Sequence, residues 1–87
     1  MDELRRKFDK YTSKAKNIQN ISDQDKLYLY SNYKQALLGN NNKEKPSILN
    51  RVEMEKWKAW NNLKDLPSDV AMKSYIKKVK QLYFSQN

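Results

Sequence analysis

Two lysines, Lys34 and Lys56, stand where the surrounding pattern asks for apolar side chains. The stretch from 27 to 38 reads Leu-Tyr-Leu-Tyr-Ser-Asn-Tyr-Lys-Gln-Ala-Leu-Leu. On a helix turning about 100° per residue, Leu27, Tyr30, Lys34, Leu37 and Leu38 fall on one arc, flanked by Leu29, Tyr33 and Ala36. Ser31, Asn32 and Gln35 take the other side. Lys34 thus lies about 20° from Leu27 and about 40° from Tyr30, inside the aromatic arc expected to pack inward. Lys56 falls in the same way amid Val52, Ala59, Trp60 and Leu63. An ammonium group so placed either snorkels past the core on its aliphatic stem or holds an anion at a groove.

Burying two ammonium groups without counter-charge costs several kcal/mol each. A bound polyphosphate, or a position at a groove mouth, removes that cost. Tyr30, Tyr33 and Tyr75 suit the rim of such a groove, because each offers an apolar ring and a hydroxyl that wants a partner. Aromatic faces there can stack a nucleobase, and an apolar floor can take a hydrocarbon chain. Trp57, Trp60 and Leu63 read as core, and Lys73, Lys77, Lys78 and Lys80 as a solvated face.

The rest of the composition narrows the chemistry. The 87 residues include no Cys and no His, which removes thiolate nucleophiles, disulfides, imidazole bases and the common zinc sites. No metal or cofactor is expected. No nucleophile stands beside a base, so an enzyme is not expected either. The length suits one domain, 1–87, with a small core. No apolar run approaches the roughly 20 residues that span a bilayer, and the opening Met-Asp-Glu-Leu-Arg-Arg-Lys lacks the apolar centre of an export signal. The expectation is a cytoplasmic, soluble monomer. The net charge of +8 points to an anionic partner without choosing among nucleic acid, acidic membrane and phosphate-bearing small molecule. The basic residues recur in every segment instead of forming one stripe.

Leu4, Phe8, Tyr11, Ala15 and Ile18 recur at spacings of four and three and predict a first amphipathic helix. Ser22-Asp-Gln-Asp25 resembles a capping box opening the second helix, which runs through Leu38 to Gly39, the only glycine. The connection from 40 to 50 is polar before Pro46, and Ile48 and Leu49 are expected to anchor it. At about eleven residues it exceeds the usual two to eight, so it can cross the domain and set helices two and three parallel. The third helix is expected over about Arg51 to Lys64, with Pro67 stopping it and Ser68 capping the fourth. There Ala71, Met72, Tyr75, Ile76, Val79, Leu82 and Tyr83 share one face. Four amphipathic helices with no alternating stretch predict an all-α bundle.

The strings Leu27-Tyr-Leu-Tyr-Ser-Asn-Tyr-Lys-Gln-Ala36, Gly39 with its Asn-rich turn and Pro46, Lys56-Trp-Lys-Ala-Trp-Asn61, Leu63-Lys64 and Ala71-Met-Lys-Ser-Tyr-Ile76 together resemble the acyl-CoA-binding protein family. The resemblance covers nearly the whole chain. It implies a four-helix up-down-down-up bundle with a long crossover between helices 2 and 3. It also implies an intracellular carrier and pool former that binds long-chain acyl-CoA thioesters without changing them. By matching motif positions, Tyr30, Lys34 and Lys56 would hold the 3′-phosphate region of CoA, Tyr33 would stack on adenine, and Tyr75 would close the head-group pocket. Leu27, with Thr12 and Lys16 on the first helix, would border the acyl chain and pantetheine. Contact with membranes or acyl-CoA-using enzymes would be transient. Four positions depart from the family's pattern: Lys26 and Arg51 replace apolar and aromatic residues, Glu55 a small one, and Ser47 a glycine.

Two other classes compete with that reading. A basic helical nucleic-acid module would display its lysines on an exposed face, not two within apolar arcs. A membrane-surface module would show one helix whose apolar face exceeds the others, whereas these four read as equally amphipathic.

Overall fold

Four helices form in the predicted order: α1 (Glu3–Ala15), α2 (Asp23–Leu38), α3 (Arg51–Asn61) and α4 (Ser68–Ser85). The computed structural model describes residues 2–85, with no strand among them. Side chains accept orphan N–H groups at three helix starts: Asp2 from Arg5 at 2.8 Å, Ser22 from Asp25 at 3.1 Å and Asn50 from Glu53 at 3.4 Å. Gly39 ends α2 at φ +78°, a backbone setting that glycine adopts without Cβ strain. α1 stops at Ala15, and Ile18 reaches the core from the turn beyond it. α3 ends at Asn61, short of the expected Lys64, because the chain turns there and passes through Asp65 at φ +69°.

Directions follow from which ends meet. Lys78 pairs with Asp25 at 3.3 Å and the Ser68 hydroxyl donates to the Ala36 carbonyl at 2.6 Å, so α4 runs antiparallel to α2. Trp60 reaches Gly39, while Val52 and Leu27 line one cavity, so α3 runs parallel to α2. Lys14 covers the Tyr83 ring near the far ends of α1 and α4, which are parallel. The result is an up-down-down-up bundle whose 40–50 connection is the crossover. α4 packs on both α1 and α2, and α2 alone carries α3. Phe8, Tyr11, Ile18, Leu29, Ala36, Ala71, Tyr75, Ile76 and Val79 form the core.

α2 corrects the sequence reading. Its expected polar side is the buried one: Ser31, Asn32 and Gln35 are 3%, 1% and 1% exposed. Ser31 and Asn32 donate to the Tyr28 carbonyl at 3.1 and 2.9 Å, so local bonds satisfy their polar groups. Gln35 donates to the Leu66 carbonyl at 3.0 Å and to Asn40 Oδ1 at 2.9 Å, while its own oxygen accepts Trp60 Nε1 at 3.2 Å. Trp60 Nε1 also donates to the Gly39 carbonyl at 2.9 Å, and Asn40 Oδ1 accepts the Asp65 N–H at 2.7 Å. This polar clasp joins the end of α2 to the end of α3 and the approach to α4.

Three other expectations change. Ile48 and Leu49 do not anchor the crossover; they are 80% and 89% exposed. Trp57 anchors it instead, donating from Nε1 to the Lys43 carbonyl at 2.9 Å, while Asn41 donates to the Trp57 carbonyl at 3.2 Å. Trp57 is accordingly only half-buried, and of the two tryptophans Trp60 alone is core. Ser68 does not cap α4: the Pro67 carbonyl accepts the first helical N–H from Ala71, and the Ser68 hydroxyl is committed to α2.

Candidate functional site

The arc of α2 that carries Lys34 faces a groove. On one side, Tyr30, Tyr33, Leu29 and Lys26 of α2 meet Thr12, Ala15, Lys16 and Tyr75 around a cleft of about 500 Å³. On the other, Asp23, Lys26 and Leu27 of α2 meet Arg51, Val52, Glu55 and Lys56 of α3 around a second cavity of about 290 Å³. Lys26 lines both, so the two spaces adjoin along α2.

Tyr30 is the hinge of the arrangement. Lys34 Nζ and Lys56 Nζ lie 5.7 and 5.4 Å from the centre of its ring, one from its own helix and one from α3. Lys34 is also 5.9 Å from the Trp60 ring and has no carboxylate partner among the described residues. Lys56 pairs with Glu53 at 3.6 Å, but both side chains are well exposed and such a pair is weak. Cation–π attraction to one ring offsets part of the repulsion between the two ammonium groups. Lys34 keeps its donors free of any carboxylate among the described residues, and Lys56 spends its own only on the exposed Glu53.

The rest of the cleft is aromatic. Phe8 stacks on Tyr33 at 5.8 Å with an interplanar angle of 24°, and its ring lies 5.1 Å from that of Tyr75. Tyr33 and Tyr75 are 6.0 Å apart. Phe8 and Tyr75 thus pack against Tyr33, which remains 38% exposed. Burial raises the Tyr75 pKa above its ordinary value of 10.0, and the neighbouring Tyr33 adds to the effect. Tyr75 therefore stays a neutral hydroxyl donor through the physiological range. No group of three acidic, His or Cys side chains able to hold a metal occurs among the described residues.

Seven of the eight candidate residues line this groove, and Lys34 lines neither space. Thr12, Lys16, Tyr30, Tyr33 and Tyr75 line the larger cleft and Leu27 and Lys56 the smaller, while Lys34 meets the site through the Tyr30 ring. Sequence reasoning missed Ala15, Leu29, Asp23 and Val52 as lining residues, whereas Lys26, Arg51 and Glu55, singled out as departures from the family's pattern, do line the groove. Ala15 and Leu29 read as core on periodicity alone.

The acyl CoA binding protein family model matches residues 5–79. The acyl-CoA-binding protein of Ricinus communis is 39% identical over 80 residues, 91% of this chain and 89% of that protein. An acyl-CoA-binding domain-containing protein 6 homolog of Dictyostelium discoideum is 40% identical over 74 residues, 85% of this chain. The chain spans only 26% of that relative's length, and 52% of acyl-CoA-binding domain-containing protein 3 of Oryza sativa subsp. japonica. Among solved structures, Oryza sativa acyl-CoA-binding protein 2 superposes with a TM-score of 0.92 at 39% identity, covering 95% of this chain and 91% of the other. The family match, the fold and the groove agree, and the chain belongs to the acyl-CoA-binding protein family.

Proposed function

We infer that the groove binds a long-chain fatty acyl-CoA thioester and that the protein is a non-catalytic carrier and pool former for it. The observation that carries this reading is the single ring of Tyr30 approached by two ammonium groups, Lys34 and Lys56, beside a mostly apolar groove. A phosphate between those ammonium groups accepts charge-assisted hydrogen bonds from both. The exposed face of Tyr33 stacks the adenine, and the neutral Tyr75 hydroxyl donates into the same pocket. Thr12 and Lys16 border the pantetheine, and the acyl chain runs past Leu27 toward Val52 of α3. The working unit is the one domain, 1–87, acting as a cytoplasmic monomer that meets membranes or acyl-CoA-using enzymes in passing. The groove's own residues offer no activated nucleophile toward the thioester.

Calorimetry with palmitoyl-CoA, free CoA and free palmitate tests the reading, because neither half of the ligand satisfies the whole groove. About eight further methylenes add at most roughly 6 kcal/mol, less the cost of ordering the chain. Affinity is expected to rise with chain length and then level off, with palmitoyl-CoA far tighter than either fragment. Palmitate binding as tightly as palmitoyl-CoA would refute the head-group assignments. Protein-dependent release of CoA from palmitoyl-CoA would refute the carrier role.

A further inference from the structure

The acyl-CoA groove uses one side of the α1–α4 pair, and unpaired cations collect on the other. Lys7 of α1 and Lys73, Lys77 and Lys80 of α4 line a cleft of about 280 Å³ floored by Leu4 and Ile76. At about 100° per residue Lys73, Lys77 and Lys80 stand about 140–160° around α4 from Tyr75, and Lys7 stands about 140° around α1 from Thr12. Lys10 and Lys14 extend the strip along α1. Lys10 and Lys80 lie 5.8 and 5.5 Å from the Tyr11 ring, and Lys14 lies 4.8 Å from that of Tyr83. Basic residues that are scattered in sequence thus become one face in the fold.

That face carries no ion pair among the described residues. Glu3 and Asp69 lie one turn before Lys7 and Lys73, yet no carboxylate among the described residues pairs with any of the six lysines. Lys78, on the other side of α4, does have a partner in Asp25. Like charges at helical spacing, such as Lys73 and Lys77, oppose the helix that carries them and concentrate positive potential outside it. Phe84, 58% exposed, follows Lys80 by one turn on the same strip.

We propose that this α1–α4 face docks on an anionic lipid surface. All six cations are lysines, compact charges that meet a field of headgroup phosphates without the bidentate geometry of arginine. The apolar floor and Phe84 suit the headgroup boundary, whereas the ring of Tyr11 is buried beneath the lysines and offers no platform for stacking a base. Docked in this way, the protein turns its groove toward the aqueous phase. The face does not depend on the groove's ligand.

The test is co-sedimentation with vesicles of phosphatidylcholine alone and of phosphatidylcholine mixed with phosphatidylserine, at low and physiological salt. The unmodified protein is expected to partition onto the mixed vesicles only, more weakly as salt rises. Each lysine near such a surface contributes about a five-fold gain, so K73Q/K77Q/K80Q is expected to lose about a hundred-fold. A charge-matched control on exposed positions elsewhere, K43Q/K58Q/K64Q, is expected to lose far less. Palmitoyl-CoA affinity of K73Q/K77Q/K80Q is expected to match that of the unmodified protein, which separates this face from the groove. Equal partition of the unmodified protein onto both vesicle types overturns the proposal whether or not any variant folds. Equal losses in the two triple variants, or tight binding of a short oligonucleotide with no vesicle binding, overturn it as well.

Discussion

Replacing Lys34 by Ala separates ligand binding from folding. In the free protein Lys34 contacts two rings, Tyr30 at 5.7 Å and Trp60 at 5.9 Å, both near the outer limit for cation–π attraction, and it forms no ion pair among the described residues. At partly exposed sites such contacts are worth about 0.5–1 kcal/mol. The stability cost of Lys34→Ala is therefore about 1–2 kcal/mol for the two contacts, at about 4–8 °C in Tm per kcal/mol for a domain of this size. The same truncation removes a charge-assisted hydrogen bond to phosphate, worth about 1.5–3 kcal/mol, or roughly ten-fold to a hundred-fold in Kd. Calorimetric titration with palmitoyl-CoA and thermal melting of the free protein measure the two effects side by side. Lys77→Ala, on the opposite face, leaves acyl-CoA affinity unchanged. A Lys34→Ala protein that binds palmitoyl-CoA normally but melts far lower would show that Lys34 snorkels for packing and holds no anion.

Gln35→Leu keeps the side-chain volume and removes the clasp, leaving the Leu66 carbonyl without its donor and Trp60 with one acceptor in place of two. A loss of about 2–3 kcal/mol in urea denaturation is expected, with acyl-CoA affinity of the folded protein nearly unchanged; a variant as stable as the parent refutes the clasp. Tyr75 holds its proton to higher pH folded than unfolded, so the unfolded chain deprotonates first. Stability linked to Tyr75 is thus complete below pH 10 and declines above it, at no more than about 1.4 kcal/mol per pH unit. Tyr75→Phe is expected to flatten that alkaline decline, and identical pH profiles of the two proteins refute the assignment.

Helix positions and the Gly39 stop were legible in the sequence because capping and positive φ are local requirements. The orientation of α2 was not. Its tyrosines, Leu27 and Leu37 outweigh Ser31, Asn32 and Gln35 in any hydropathy count, yet a polar side chain can be buried at little cost once its bonds are made inside. Gln35 makes its bonds to residues up to 31 positions away, which no local pattern records. The candidate site was legible for a related reason. Lys34 looked misplaced because its arc is apolar, and Leu27 and Tyr30 of that arc line the clefts rather than the core. Ile48 and Leu49 misled in the opposite sense: apolar residues beside a proline were read as an anchor, but the crossover is held by the indole of Trp57 and an asparagine amide.

No Cα of α1 comes within 8 Å of one in α2, although the two helices flank the larger cleft. Phe8 stacked on Tyr33 bridges them, side chain to side chain. Thermodynamic linkage gives that gap a consequence. A ligand seated there supplies apolar contacts that neighbouring helices in a bundle ordinarily supply to each other, and it stabilises the native state by RT ln(1 + [L]/Kd), about 4 kcal/mol when free ligand is a thousand times Kd. The gain is expected to fall first on α1, whose only helix-to-helix backbone packing is on α4. Amide hydrogen exchange of α1 then becomes a direct gauge of occupancy, slowing by the largest factor of the four helices when the carrier is loaded.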